Sequence, residues 1–409
     1  MTRPGSDVAE RVVALLGESP VGHTLAQAFY SDPDIHALDV EAVFGRAWLF
    51  VGVSSEVAEP GAFLAFTIGH NPAFVVRGRD GVLRGFHNTC RHRGSRICAD
   101  GHGRSPRIVC PYHKWTYDLD GRLLAAPRMP AGFDAGEHGL VPIRVEVLAG
   151  CVYVSLASDP PDFSEFRAAV EPRLTPYRLV ESKVAFRSSL IEKANWKLAM
   201  ENARECYHCA TSHPELRIAY PIAHGAAVTD EQRAYEQRFA KRMAGLGVAT
   251  HSANGDWWHV ERYALNPGME SISRDGRAVV RRRLIESAEP EFGGFWWATQ
   301  PNTFCHALAD YAFIFSVIPL GPEETRIDST WLVHQDAIEG VDYDIASLTE
   351  TWTETNLQDR RLAENNQSGV NSVGYRPGPY SNEEDFVSRF GSWYRSSIAA
   401  AAASWRAPT

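Results

Sequence analysis

Two pairs of metal-binding side chains lie in residues 88–121: Cys90 with His92, and Cys110 with His113, with 17 residues between the pairs. Each pair offers one thiolate and one imidazole. Four such ligands could hold zinc, but zinc ribbons present like pairs from each loop. The mixed order suits a [2Fe-2S] cluster in which one iron takes two Cys and the other two His, and histidine ligation raises the potential of such a cluster. Gly94, Gly101 and Gly103 are expected to let the loops close over inorganic sulfide, and Pro111 to fix the second loop.

A second concentration falls in 195–216, NWKLAMENARECYHCATSHPEL, which packs Glu201, Glu205, His208 and His213 into thirteen residues. Glu205 and His208, at i and i+3, share a helix face, whereas His213 would point about 140° from His208 on an unbroken helix. Pro214 biases His213 out of the α region, so the spacing predicts a helix that ends or bends between the histidines. Two neutral imidazoles brought together are two-thirds of a facial triad, which binds Fe(II) and leaves positions open for O2.

The missing carboxylate is sought in 345–369, where Leu348, Trp352, Thr355, Asp359 and Leu362 fall in one stripe at helical spacing. An aspartate in an apolar stripe faces the core, and a buried carboxylate requires a cation. Glu350 and Glu364 fall off that stripe and read as solvated charges. Two alternatives stay open at this level. Cys206, His208 and Cys209 could form a zinc or thiol-redox site, although one helical turn cannot converge all three without unwinding. Asp359 could also be the buried partner of an arginine or a helix end.

Scaffolds must position both sets, and 409 residues suffice for two or three domains. Short alternating runs (AFLAFTI, PAFVVRG, RIVCPY, GCVYVSLA), separated by turn signals at GRDG, DLDG and SDPPD, mark 44–160 as a small all-β domain. Residues 161–409 read as a larger α+β domain. Its expected elements are helices over 163–180 and 195–213, strands over 279–287 and 311–335, and a long helix from about 344 to 366. Residues 1–43 form an N-terminal helical segment with a capped helix from Ser6 to Gly17, and the Ala-rich SIAAAAASW continues a last helix.

Bulk properties narrow the partners. A formal charge of -9 with no Lys/Arg block argues against nucleic acid and anionic membrane. No apolar run approaches the ~20 residues that span a bilayer, so a cytoplasmic protein is expected. Seven unevenly spread cysteines make a poor disulfide framework, and Cys98, Cys151 and Cys305 read as core residues.

CRHRG followed by CPYHKWTYDLDG resembles the cluster signature of the Rieske non-haem iron oxygenases, and ENARECYHCATSHP resembles the mononuclear-iron motif of the same family. The resemblance implies an α+β chain: an N-terminal all-β Rieske domain, then a catalytic domain whose antiparallel sheet is flanked by helices in a helix-grip arrangement. It implies a cluster on Cys90, His92, Cys110 and His113, and iron on His208, His213 and Asp359. It further implies that Glu205 bridges an iron ligand to His113 of the partner subunit, as a carboxylate between two imidazoles would, in a ring-shaped homotrimer. No G-x-G-x-x-G opens a helix after a strand, so electrons from NAD(P)H must arrive through a separate flavin reductase, directly or by way of a ferredoxin.

The C-terminal third resembles the subgroup that oxidatively demethylates betaines such as glycine betaine and stachydrine. A quaternary ammonium is held best by aromatic faces. Trp257, Trp258, Tyr263, Phe295, Trp296 and Trp297 could supply them, with Trp258, Tyr263 and Trp297 as the leading candidates, although any one of them suits a strand core equally. A substrate carboxylate would want an arginine, and Arg262, Arg277, Arg281, Arg282 and Arg283 are not distinguished. Two other readings remain: an aromatic-ring hydroxylating dioxygenase with the same metals, and a Rieske electron carrier without oxygenase activity.

Overall fold

The computed structural model describes residues 6–222, 228–286 and 291–406. Phe44–Phe163 is one compact unit, and the described residues of Met1–Val43 and Ser164–Thr409 form the other.

The smaller unit is all-β. Strands β1 (Leu49–Val53), β2 (Ala62–Ile68), β3 (Asn71–Arg77), β4 (Leu83–His87), β5 (Gly101–Arg104), β9 (Pro142–Leu148) and β10 (Cys151–Ser155) form an antiparallel sheet in the order β1-β10-β9-β4-β3-β2-β5. A second sheet joins β6 (Ile108–Val109), β7 (Thr116–Tyr117) and β8 (Leu123–Ala125). The alternating AFLAFTI and PAFVVR runs pair as β2 and β3 across the Gly69–His70 turn, with Ile68 opposite Asn71. Phe74, Phe86, Ile97, Trp115 and Tyr117 form a core that also buries Cys90 and Cys110.

The larger unit is built on β11 (Ser182–Glu192), β12 (Ala253–Asn254), β13 (Trp258–Tyr263), β14 (Gly294–Thr299), β15 (Thr303–Ala307), β16 (Ala312–Gly321) and β17 (Glu324–His334). They form an antiparallel sheet in the order β11-β17-β16-β15-β14-β13-β12. Period-two alternation puts Glu261 and Tyr263, Trp296, Phe304 and His306, and Phe313 and Phe315 in cross-strand register on one face. Helix Ile345–Val370 covers that face, its Trp352 stacked on Phe313 at 4.4 Å. It is started by the Asp344 side chain, which accepts from Ser347 N at 3.0 Å. No helix among the described residues is long and apolar enough to cross a membrane.

Residues of 6–43 pack into the larger unit. Asp39 is wholly buried and accepts from Trp196 Nε1 (3.0 Å), Tyr394 Oη (2.7 Å) and Lys197 Nζ, itself wholly buried. Tyr30 Oη donates to Glu201 Oε1 at 2.9 Å, so Glu201, one of the dense acidic residues of 195–216, serves this packing and not the histidines.

Several expectations needed correction. Residues 279–286 form bends instead of a strand, because the amides of Val279 and Val280 donate to the buried Asp310 carboxylate and not to a neighbouring strand (2.8 and 3.3 Å); residue 287 lies outside the described residues. The strands expected over 311–335 are present, as β16 and β17 paired in a hairpin. Helix Ser164–Leu174 stops well short of 180, giving way to short 3-10 turns around Arg178 at φ +51°. Gly101 and Gly103 lie on β5; of the three glycines assigned to loop closure, only Gly94, at φ +76°, is in a ligand loop. Cys98 is half-buried, while Cys151 and Cys305 are buried.

Candidate functional site: two metal centres and a cavity

In the smaller unit the two ligand loops repeat one hydrogen-bond pattern. Cys90 N donates to Ser95 O and Gly94 N to Cys90 O, both at 2.9 Å; Cys110 N donates to Trp115 O (2.9 Å) and Lys114 N to Cys110 O (3.1 Å). Gly94 and Lys114 occupy matching left-handed positions. The loops bring the His92 and His113 rings to 4.6 Å, with His92 stacked on Trp115 at 4.9 Å.

His92 Nδ1 is buried without a partner, and both cysteines are buried, as ligands of an enclosed cluster would be. His113 instead presents Nε2 outward, 2.8 Å from Arg93 Nη2. Tyr117 Oη, which accepts from Arg91 N at 3.0 Å, stands 3.3 Å from Cys90 Sγ and so donates to it. The donor set fits a two-cysteine, two-histidine cluster, with the Cys90 sulfur hydrogen-bonded by Tyr117.

In the larger unit helix Trp196–Asn202 ends before the first histidine, and only the short turn Cys209–Ser212 separates His208 from His213. His213, ahead of Pro214, takes φ -122°, ψ 73°, outside the helical region. The break turns both rings inward: His208 Nε2 lies 3.0 Å from His213 Nε2, and Asp359 Oδ1 lies 3.3 and 3.0 Å from those two atoms.

Hydrogen bonding fixes what these atoms are. His208 Nδ1 faces Glu205 Oε1 at 2.5 Å, and His213 Nδ1 faces Gln358 Oε1 at 2.7 Å, while Gln358 Nε2 donates to Glu215 Oε2 at 2.9 Å. Both Nδ1 atoms therefore carry protons, which leaves the two Nε2 atoms and Asp359 Oδ1 to converge on one point. In the metal-free chain a proton on His208 Nε2 occupies that point; two imidazole lone pairs and a carboxylate suit a divalent cation in its place. In an octahedron with bonds of about 2.1 Å, neighbouring ligands stand about 3.0 Å apart, matching the observed triangle. In the metal-free chain burial lowers the His208 pKa, but hydrogen bonds to Asp359 and Glu205 outweigh it and push the value up to about 9.

The C-x-x-C read above as a zinc or thiol alternative is a disulfide, Cys206–Cys209, with Cα atoms 4.9 Å apart. The backbone turn that closes Cys209 N onto Cys206 O at 3.1 Å brings these two thiols together, which spacing along the chain alone did not reveal.

A cavity of about 590 Å³ lies between the sheet and helix Ile345–Val370 and includes the triad in its wall. Of the aromatic candidates, Tyr263 lines it, as does Trp296. Trp297 does not: strand alternation turns it to the opposite face, where it stacks on Phe295. Trp258 is also absent from this wall and lines a separate pocket of about 30 Å³, while Trp257 packs on Phe166 at 5.0 Å.

Among the arginines, the Arg262 guanidinium is held over Phe292 and Tyr177 and donates to Tyr177 Oη at 2.8 Å. Arg283 and Arg277 pair with Glu270, Arg282 pairs with Asp336, and Arg281 is exposed. Sequence reasoning missed Glu261, Phe304, His306 and Gln358. The alternation of β13 and β15 would have found the first three, while Gln358 carried no signal of its own. His306 is buried and neutral, its pKa pushed down to about 3 by burial; its Nδ1 is 2.6 Å from Tyr263 Oη and its Nε2 has no partner. Gly294 stands opposite Tyr263, and a Cβ there would meet that ring at 2.2 Å, so a glycine is needed for the ring to reach the cavity.

A Rieske-type donor set in one unit and a facial triad in the wall of a cavity in the other define a Rieske non-haem iron oxygenase. Residues 47–146 match the Rieske [2Fe-2S] domain and 177–400 match the catalytic domain of the ring-hydroxylating alpha subunits, and the chain belongs to that family. It is 42% identical over 389 residues, 91% of this chain and 85% of the relative, to the glycine betaine monooxygenase oxygenase subunit of Chromohalobacter salexigens. It is 34% identical over 363 residues, 86% of each chain, to the carnitine monooxygenase oxygenase subunit of Escherichia coli. The fold matches that of the quaternary ammonium Rieske monooxygenase CntA, solved with gamma-butyrobetaine, at a TM-score of 0.70 and 21% identity over 97% of this chain and 99% of that one.

Proposed function

We propose that this chain is the oxygenase component of a betaine demethylase: it hydroxylates an N-methyl carbon of a betaine-like quaternary ammonium, and the hemiaminal collapses to formaldehyde and the demethylated amine. The observation that carries this reading is the 42% identity, over 91% of the chain, to glycine betaine monooxygenase oxygenase subunits. The cavity adds chemical support. Glu261, on the face shared with Tyr263 and Trp296, gives an aromatic wall a carboxylate, the combination that suits a desolvated quaternary ammonium.

His208, His213 and Asp359 would hold Fe(II), which when bound supplies the activation of O2 with electrons from the cluster on Cys90, His92, Cys110 and His113. Glu205 holds the Nδ1 proton of His208, and Gln358 accepts that of His213, so each keeps an imidazole aimed and basic. The apolar rings of Phe304, Phe313 and Trp352 in the cavity wall keep water from the reacting methyl group. Because Glu205 already holds a ligand imidazole, it is suited to hydrogen-bond His113 of the partner subunit in a homotrimer and carry electrons across. A cytoplasmic setting with a separate flavin reductase, with or without a ferredoxin, completes the proposal.

The test supplies a reductase, NADH and a panel of betaines and arenes. Formaldehyde release from a betaine, absent in Asp359→Ala, supports demethylation; a cis-diol from an arene with no formaldehyde overturns it. Two irons per chain, where three are expected, would instead indicate an electron carrier.

A further inference from the structure

Arg204 lies one residue before Glu205 and forms part of the wall of both the large cavity and the 30 Å³ pocket beside it. It is 3% exposed. Only one of its nitrogens is hydrogen-bonded: Nη2 donates to Thr299 O (3.3 Å), Gln300 Oε1 (3.0 Å) and Thr303 O (3.0 Å). All three acceptors are neutral. Nε and Nη1 are buried without a partner, and among the described residues no carboxylate stands within ion-pair distance. Burial depresses its pKa to about 9, which leaves the guanidinium charged at neutral pH.

A buried cation with two idle donor nitrogens and no counter-charge is an unfavourable arrangement unless something brings the missing anion. Arg262 shares the cavity wall and has one idle nitrogen, Nη2, but its guanidinium is held over Phe292 and Tyr177 and donates to Tyr177 Oη; Arg277, Arg282 and Arg283 have acidic partners, and Arg281 is exposed. The opposite charge sits elsewhere in the same cavity, at Glu261, among Tyr263 and Trp296. A zwitterion carries both complements: an ammonium for the aromatic and acidic wall, and a carboxylate for the arginine.

We infer that Arg204 is the anchor for the carboxylate of the substrate. This rests on the betaine reading and deepens it. Because Glu205 follows directly and holds the iron ligand His208, the anchor is tied by four residues of chain to the metal that must meet the N-methyl group, so the carboxylate contact also orients the substrate.

The experiment measures binding by anaerobic calorimetry of the iron-loaded full chain with glycine betaine, its methyl ester, and choline, the last two lacking a carboxylate. The wild type is expected to favour glycine betaine over the ester by at least about tenfold. Arg204→Met is expected to weaken glycine betaine by roughly 30- to 5,000-fold, the range for removing one member of a buried charge pair, and to change the ester and choline by less than about threefold.

Equal weakening of all three ligands, or of none, would overturn the assignment and leave Arg204 as a brace for the Thr299–Thr303 turn. Should Arg204→Met fail to retain cluster and iron, the wild-type series decides: no preference for the carboxylate over its ester overturns the inference, and a clear preference supports it. If the wild type binds no quaternary ammonium but takes another carboxylate in an Arg204-dependent way, the betaine reading falls and the anchor stands. If it favours no carboxylate at all, both fall.

Discussion

Gln358 Oε1 accepts the Nδ1 proton of His213 at 2.7 Å, while the next residue along the helix, Asp359, places Oδ1 3.0 Å from the opposite nitrogen of the same ring. One imidazole is thus gripped on both edges by consecutive residues. Replacing Gln358 with Leu removes the outer grip and keeps the volume. Iron affinity is expected to fall about 10- to 100-fold with the visible spectrum of the cluster unchanged. Chelator competition measures it, and undiminished affinity would contradict the assignment.

Iron uptake should depend on pH through His208. Its pKa in the metal-free chain, lowered by burial but raised further by Asp359 and Glu205 to about 9, means that a proton and the metal compete for the ring. Below pH 9 the proton must be displaced. Apparent affinity is therefore expected to rise about tenfold per pH unit toward 9 and then level off. A profile flat between pH 6.5 and 8.5 would rule this out.

Tyr117 donates to Cys90 Sγ at 3.3 Å, and hydrogen bonds to cluster sulfurs favour the reduced, more negative state. Tyr117→Phe is expected to lower the cluster potential by roughly tens of millivolts. Voltammetry of the full protein reads this directly, and an unchanged or higher potential would count against it.

Asp39 and Lys197 form an ion pair with both side chains wholly buried. Asp39→Ala strands the lysine, which burial already pushes toward its neutral form against the pull of Asp39. A loss of about 3–5 kcal/mol is expected, seen as a large drop in Tm. Adding Lys197→Met should recover much of it; a double variant no more stable than Asp39→Ala would show that the pair is not the cause.

Much of the candidate site could be read from residue types and spacing, because metal ligands are few and their positions are constrained. The helix expected over 195–213 ends already at Asn202, before His208, while the Pro214 argument holds for His213, which leaves the helical region after the short Cys209–Ser212 turn so that His208, His213 and Asp359 come together. The cavity wall was harder to read. Trp296 and Trp297 are adjacent and alike, and only the register of β13 against β14 decides which one faces inward. Arg204 was missed for a related reason: its meaning lies in the partners it lacks, which no linear pattern records. The strand expected over 279–287 failed because a side chain far along the chain, Asp310, took up its amides.

The two histidines flank a single helical turn in a short loop whose cysteines, Cys206 and Cys209, are cross-linked, whereas Asp359 comes from a 26-residue helix packed along the sheet. Iron held there would act as a rivet between a small, locally closed loop and a rigid beam. Drawing the rivet would let the loop lift while the beam stays in place, so the emptied enzyme is expected to keep its fold and to accept metal again without passing through the unfolded chain.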